Sequence, residues 1–243
     1  MLPTSIFRHQ RGFSIIELLV GVAVGLLILS GAVKLFTDNI NSNRKLVLET
    51  RVNQDMRGAA DLIARDLRRA GFWGNSTGGV VTTNAQPLAA VSPYASVSPT
   101  GTAAAAEITY DYSQGTENNA LNSTTESFGF RLSSGVLQYL QGGNWQAITD
   151  SSTLNVSNFS VTPVLKCVAL QQYCTGGSSS ACAACAVNVT TGCPTTACAT
   201  CPFLNVRSYN IALQGTSATD ASVVRNLQET VRVRNDQLTG ACP

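Results

Sequence analysis

Eight cysteines dominate the reactive inventory of this chain. Seven fall within Cys167-x6-Cys174-x7-Cys182-x2-Cys185-x7-Cys193-x4-Cys198-x2-Cys201, and the eighth, Cys242, is next to last. The CxxC pairs Cys182–Cys185 and Cys198–Cys201 stand twelve residues apart, on spacing alone the ligand pattern of a four-cysteine zinc site. An even cysteine count in a Gly/Ser/Thr-rich surround also fits a loop stapled by disulfides, so the compartment decides between the two readings. Neither CxxC lies in a βαβ context, which argues against a thioredoxin-like role. Other chemistry is scarce. His9 is the one histidine, no carboxylates are spaced for acid–base work, and no phosphate-binding Gly motif carries a basic residue. An enzyme is therefore not expected, nor a cofactor.

The chain that must position these residues has 243 of them, enough for one domain or two small ones. It is 44% hydrophobic and only 12% charged, where soluble domains carry about a quarter. Its net charge of +2 is too small for a protein that coats nucleic acid. The charge is also uneven: residues 1–70 hold ten basic and six acidic side chains, residues 71–243 six and eight. Arg8 and Arg11 precede an apolar run over 13–33 in which the one charge is Glu17. As a helix, that run reaches roughly 32 Å and crosses a bilayer core. Basic residues before it favour an amino terminus in the cytoplasm. A secretory signal would end in a small-residue cleavage site after a shorter stretch; Ser30-Gly31-Ala32 mimics one, but the run continues past it. A carboxylate in a span costs on the order of 2.5–3.5 kcal/mol at the centre, less near an end, and is rarely kept without a partner. The bland reading of Glu17 is a side chain snorkelling to the headgroups.

Arg11-Gly12-Phe13-Ser14-Ile15-Ile16-Glu17-Leu18-Leu19-Val20 resembles the leader and amino-terminal helix of the type IV prepilin family. In that family a dedicated prepilin peptidase cuts after the Gly on the cytoplasmic side and methylates the new terminal amine. The resemblance implies that Gly12 ends a leader of residues 1–12 and that Phe13 is the first, N-methylated residue. Glu17 is then the fifth, and its carboxylate meets the terminal amine of a neighbouring subunit. Such a pair offsets two desolvation costs and fixes axial register, because a shifted neighbour leaves both charges unpaired. Lys34 stands where major pilins commonly carry a kinking proline, a departure from the bulk subunit.

No proline occurs between Pro3 and Pro87, and apolar positions recur at Phe36, Ile40, Val47, Val52, Met56, Ala59, Ile63, Leu67 and Ala70. This predicts one helix over 13–70: a transmembrane or filament-core part at 13–35 and an amphipathic part at 36–70 that packs on a head. Gly71 is a stop, and Arg65, Arg68 and Arg69 suit the helix carboxyl end. As a DNA patch that cluster is weakened by Asp61 and Asp66, each placed to pair with it. Residues 71–243 form the head. Its 76–127 stretch reads as loop with a strand at 107–112. A β-meander follows over 128–162, and two further strands lie at 208–213 and 229–233. The expected class is α+β, a pilin fold with a long transmembrane helix and an antiparallel head.

The stretches Asp61–Gly74 and Glu229–Leu238 resemble PilW-type minor pilins, with the J-type pseudopilin of type II secretion sharing the plan. This implies a minor pilin that starts or tips a type IV pilus. Alternatives are a secretion pseudopilin, and an adhesive or DNA-contacting tip module working through the loop 167–201. Implied partners are the prepilin peptidase, other minor pilins and the major pilin, the inner-membrane assembly platform and membrane lipid; nucleic acid is disfavoured. The implied location is the inner membrane, single-pass with the head periplasmic, and then the pilus at the cell surface. There thiols are oxidised, so Cys167, Cys174, Cys182, Cys185, Cys193, Cys198, Cys201 and Cys242 are expected in disulfides, with no metal.

Overall fold

A computed structural model describes residues 12–76, 92–101, 106–173, 185–195 and 201–240. Arg8, Arg11, Cys174, Cys182, Cys198 and Cys242 lie outside the described residues. The chain divides into two compact units, Met1–Val47 and Leu48–Pro243. Helix α1, Ile15–Leu67, begins in the first and ends in the second. Its bounds fall within three residues of the expected 13–70.

In the first unit α1 has a mean hydropathy of 2.4 over its most apolar window and buries none of it, which suits a membrane span by length and composition. The hydroxyls of Ser30 and Thr37 donate back to the carbonyls of Leu27 and Val33, so neither needs water.

In the second unit two antiparallel sheets share one core with the end of α1. The first sheet is a meander of β1 (Val97–Thr100), β2 (Glu107–Asp111), β3 (Ser127–Ser133), β4 (Val136–Gln141) and β5 (Asn144–Ala147). The turn between β3 and β4 runs through Ser134 and Gly135, both at positive φ, the tight hairpin expected there. The second sheet holds β6 (Leu154–Ala169), β7 (Phe203–Ser217), β8 (Val224–Arg232) and β9 (Gln237–Thr239). Strand β7 is central: β6 pairs along one side of it, while β8 and then β9 share the other.

This corrects one expectation. The meander ends at β5, and Val156–Val161 belongs to the second sheet. The chain is redirected at Asp150, whose carbonyl accepts Thr153 and Leu154 N–H groups and whose carboxylate takes the Ser152 N–H and hydroxyl. The strands expected at 208–213 and 229–233 are also longer or earlier than the alternation suggested.

The core joins Val52, Met56, Ile63 and Leu67 of α1 to Ile108, Phe128, Phe130, Leu154, Phe159, Ile211 and Val231 from both sheets. Alanines at 59, 60 and 64 let the helix approach closely. A Cβ at Gly215 on β7 would stand 2.6 Å from Leu154 Cδ1 and 3.1 Å from Met56 Sδ, so those two core side chains would have to shift.

Candidate functional site

The candidate site begins at the amino-terminal end of the described chain. Gly12 has no neighbour within 4 Å of where a Cβ would stand, and Phe13 is 83% exposed. The Ser14 carbonyl accepts the Leu18 N–H, and Glu17 lies in the first turn of α1. A carboxylate there interacts favourably with the helix dipole, so local physics tolerates it without specifying a partner. Ile15, Ile16, Leu18 and Leu19 around it are exposed, as are Leu26, Leu27 and Ile28 further along the helix. The apolar stripe of the sequence therefore divides: Phe36, Ile40 and Val47 are open, whereas Val52, Met56, Ala59, Ile63, Leu67 and Ala70 are buried.

The buried part is tied down by polar contacts of which the spacing showed only the Asp66–Arg69 pair. Asp66, 7% exposed, accepts the hydroxyls of Tyr110 at 2.5 Å, Tyr139 at 3.0 Å and Tyr112 at 3.4 Å. Arg69 stands 3.5 Å from the same carboxylate and stacks 4.4 Å over the Tyr112 ring. Burial, and then the Asp66 charge, push all three tyrosines up, Tyr112 to about 12. Asp66 does neutralise Arg69 as the spacing suggested, but most of its bonds come from a sheet 44 to 73 residues away. Arg68 reaches Glu229 at 3.8 Å; no Asp61–Arg65 ion pair occurs among the described residues.

The helix end is capped from the far end of the chain. Gly71 sits at φ +73°, and a Cβ there would meet the Arg207 guanidinium at 2.5 Å. The Asn235 side chain donates to the carbonyls of Arg69 and Ala70, and the Arg234 N–H donates to Arg68. Arg207, 6% exposed, donates to the carbonyls of Asn235 at 2.8 Å and Ala95 at 2.6 Å. Burial lowers its pKa. Arg207 stands one residue before the strand expected at 208–213, and a lone cation beside that alternation was the available signal. Glu49 on α1 pairs with Arg225 on β8, and Asp55 accepts the Thr153 hydroxyl at 3.2 Å.

At the other end of the second sheet, Cys167 is bonded to Cys193, with Cα atoms 4.6 Å apart. Cys185 and Cys201 are also disulfide-bonded. Cys167, Cys201 and Phe203 make a small core of their own, against which Cys185 and Cys193 pack. No group of three or more His, Cys, Asp or Glu side chains is placed to hold a metal among the described residues. Among the described residues the arrangement offers surfaces and tethers.

Two family models match the chain. The model for prepilin peptidase-dependent protein B covers residues 45–233, and the prokaryotic N-terminal methylation motif covers residues 7–33. No curated protein and no solved structure matches it.

Proposed function

From the premise that this chain belongs to the prepilin peptidase-dependent protein B family, behind a prokaryotic N-terminal methylation motif, we propose that it is a minor pilin. In this reading the prepilin peptidase cuts between Gly12 and Phe13 and methylates Phe13. The cut chain waits in the inner membrane as a single-pass protein, amino terminus cytoplasmic and head periplasmic. It then joins other minor pilins and the major pilin, PilW-like, to start or tip a type IV pilus. Its function is packing and one charge pair.

The observation that carries the reading is the split along α1. The last part of one continuous helix, from Val52, is buried in the head, whereas the run 15–33 is unburied and apolar with Glu17 as its one charge; a polar stretch with Lys34, Asp38, Arg44 and Lys45 lies between. Apolar surface of that extent is favourable only in lipid or against other subunits. Within it an unpartnered carboxylate is costly, so the methylated amine of a neighbour is its complement.

The test is Glu17→Ala, with processing and incorporation measured separately. Cleavage and N-methylation, read by mass spectrometry, should remain at wild-type level. Recovery of the variant in sheared filaments should fall at least ~10-fold, the factor that about 1.4 kcal/mol of lost pairing produces. Wild-type incorporation would refute the charge-pair role.

A further inference from the structure

The cysteine-bearing end of the head is built differently from the rest. Strands β6 and β7 run past β8: positions 165–169 of β6 pair with 203–207 of β7 beyond the last β8 partner, Ser208. Thr162, Pro163, Val164, Leu165 and Lys166 are all exposed, so this stretch of β6 has no buried face. Its side chains contribute nothing to the main core, and the apolar group there is the separate cluster of Cys167, Cys201 and Phe203.

The segment 185–195 leans on that cluster. It is a small hairpin closed on itself: Asn188 donates to the Cys193 carbonyl at 2.8 Å, Gly192 to Asn188 at 2.7 Å and Thr195 to Ala186 at 2.8 Å. It buries little, with Val187 45% and Val189 99% exposed. To β6 it is tied by the Cys167–Cys193 bond and by the Cys167 N–H, which donates to the Thr191 carbonyl at 2.8 Å. Eleven residues that bury so little gain too little from a few hydrogen bonds to offset the entropy of ordering them. Covalent links must supply the difference by restricting the unfolded state.

We propose that this arm is a redox-gated module: dithiol–disulfide exchange at Cys167–Cys193 sets whether 185–195 is ordered, while helix 48–67 and both sheets stay folded. The exchange balances simply. A dithiol reductant attacks the Cys193 sulfur, the more exposed of the two, and Cys167 leaves as thiolate and takes a proton. The second thiol of the reductant then releases Cys193 as a thiol, and the reductant ends as its own disulfide. Two electrons pass to the protein, and a disulfide oxidant reverses the step. The arm is a substrate of such exchange, not a catalyst, and the inference does not depend on the filament reading.

The experiment uses the full chain in detergent micelles, oxidised and after dithiothreitol treatment carried to complete thiol alkylation, with a Cys167→Ser/Cys193→Ser double variant alongside. Amide exchange and limited proteolysis are mapped by mass spectrometry. In the variant, which leaves the Cys185 disulfide in place, and on reduction, which opens that bond as well, cleavage within 185–195 should rise at least ~10-fold, with amide protection lost at Gly192 and Thr195. Protection at Ile211, Leu213 and Val231 should change less than ~2-fold. Unchanged protection of the arm would overturn the proposal. So would joint loss of arm and central strand, or a double variant that cannot fold, since each shows one cooperative unit.

Discussion

A buried carboxylate with three tyrosine hydroxyls around it ties the end of a helix to a sheet. Asp66 accepts from Tyr110, Tyr112 and Tyr139 and faces Arg69, so its charge is spread over four partners on two elements. Removing the shortest of these bonds with Tyr110→Phe should cost about 1.5–3 kcal/mol, the range for hydrogen bonds to charged groups. Denaturant unfolding followed through the buried Trp73 would measure it, and a cost below about 0.5 kcal/mol would mean the cluster is incidental. The same cluster fixes a pH dependence. Burial raises the Tyr112 hydroxyl to about 12 when folded, while an unfolded tyrosine ionises near 10. Its stabilisation is therefore complete below about pH 10 and is lost as pH rises towards about 12. Stability measured from pH 9 to 12 should fall, and Tyr112→Phe should fall less steeply; equal slopes would count against Tyr112 as a source. Only the ion pair was legible beforehand. The i,i+3 spacing showed that Asp66 could meet Arg69, but nothing local announces hydroxyls delivered by β2 and β4.

At the scale of elements, legibility followed periodicity. Helix α1 and strands β2 to β5 were readable because apolar spacing and turn residues agreed. Strand β1 was not, since it carries Pro99 and lies in a Ser/Thr-rich stretch. The three-residue β9 has no pattern to detect, and β6 is exposed on both faces from Thr162 to Lys166, which erases the alternation there. Cysteine spacing drew attention to the CxxC pairs, whereas the described bond joins Cys167 to Cys193, 26 residues apart, through a tertiary approach. Within α1 the division between buried and open surface gives a contrast. Ile63→Ala, at 0% exposure, should cost the head about 2–5 kcal/mol. Leu27→Ala, 73% exposed, should leave micelle-borne head stability within about 0.5 kcal/mol and act on assembly instead. If both variants destabilise the head equally, the division is wrong. The helix stop is a separate point of failure: Gly71→Ala combines positive φ with the Arg207 contact and should cost more than about 1 kcal/mol by the same unfolding assay.

At the scale of the whole molecule, the described residues leave β1, β5, β6 and β8, with the three-residue β9 following β8 along the same side of β7, as outer strands, each a template for unwanted pairing in a protein meant to associate only through chosen surfaces. Each edge carries a guard. Strands β1 and β5 have four residues apiece, β1 with Pro99 among them. On β8 the residues alternating towards α1 include Arg225 and Glu229, held by Glu49 and Arg68, and a strand added there would crowd these ion pairs. Strand β6 is long, and its guard can be located. The Cys167 N–H points away from β7, towards Thr191. Backbone direction along a strand repeats every two residues, so positions 165 and 163 face the same open side. Position 163 is a proline with no N–H to offer, and 167 is covered by the arm. Pro163→Thr restores an outward donor beside exposed Val164 and Leu165 on a strand otherwise ready to pair. Sedimentation of the micelle-borne chain should then show a concentration-dependent dimer absent from wild type, with little change in unfolding. Reduction of the arm should add to the effect by uncovering position 167. A variant that sediments as wild type, oxidised and reduced, would mean that the β6 edge is kept apart by something other than its missing donor.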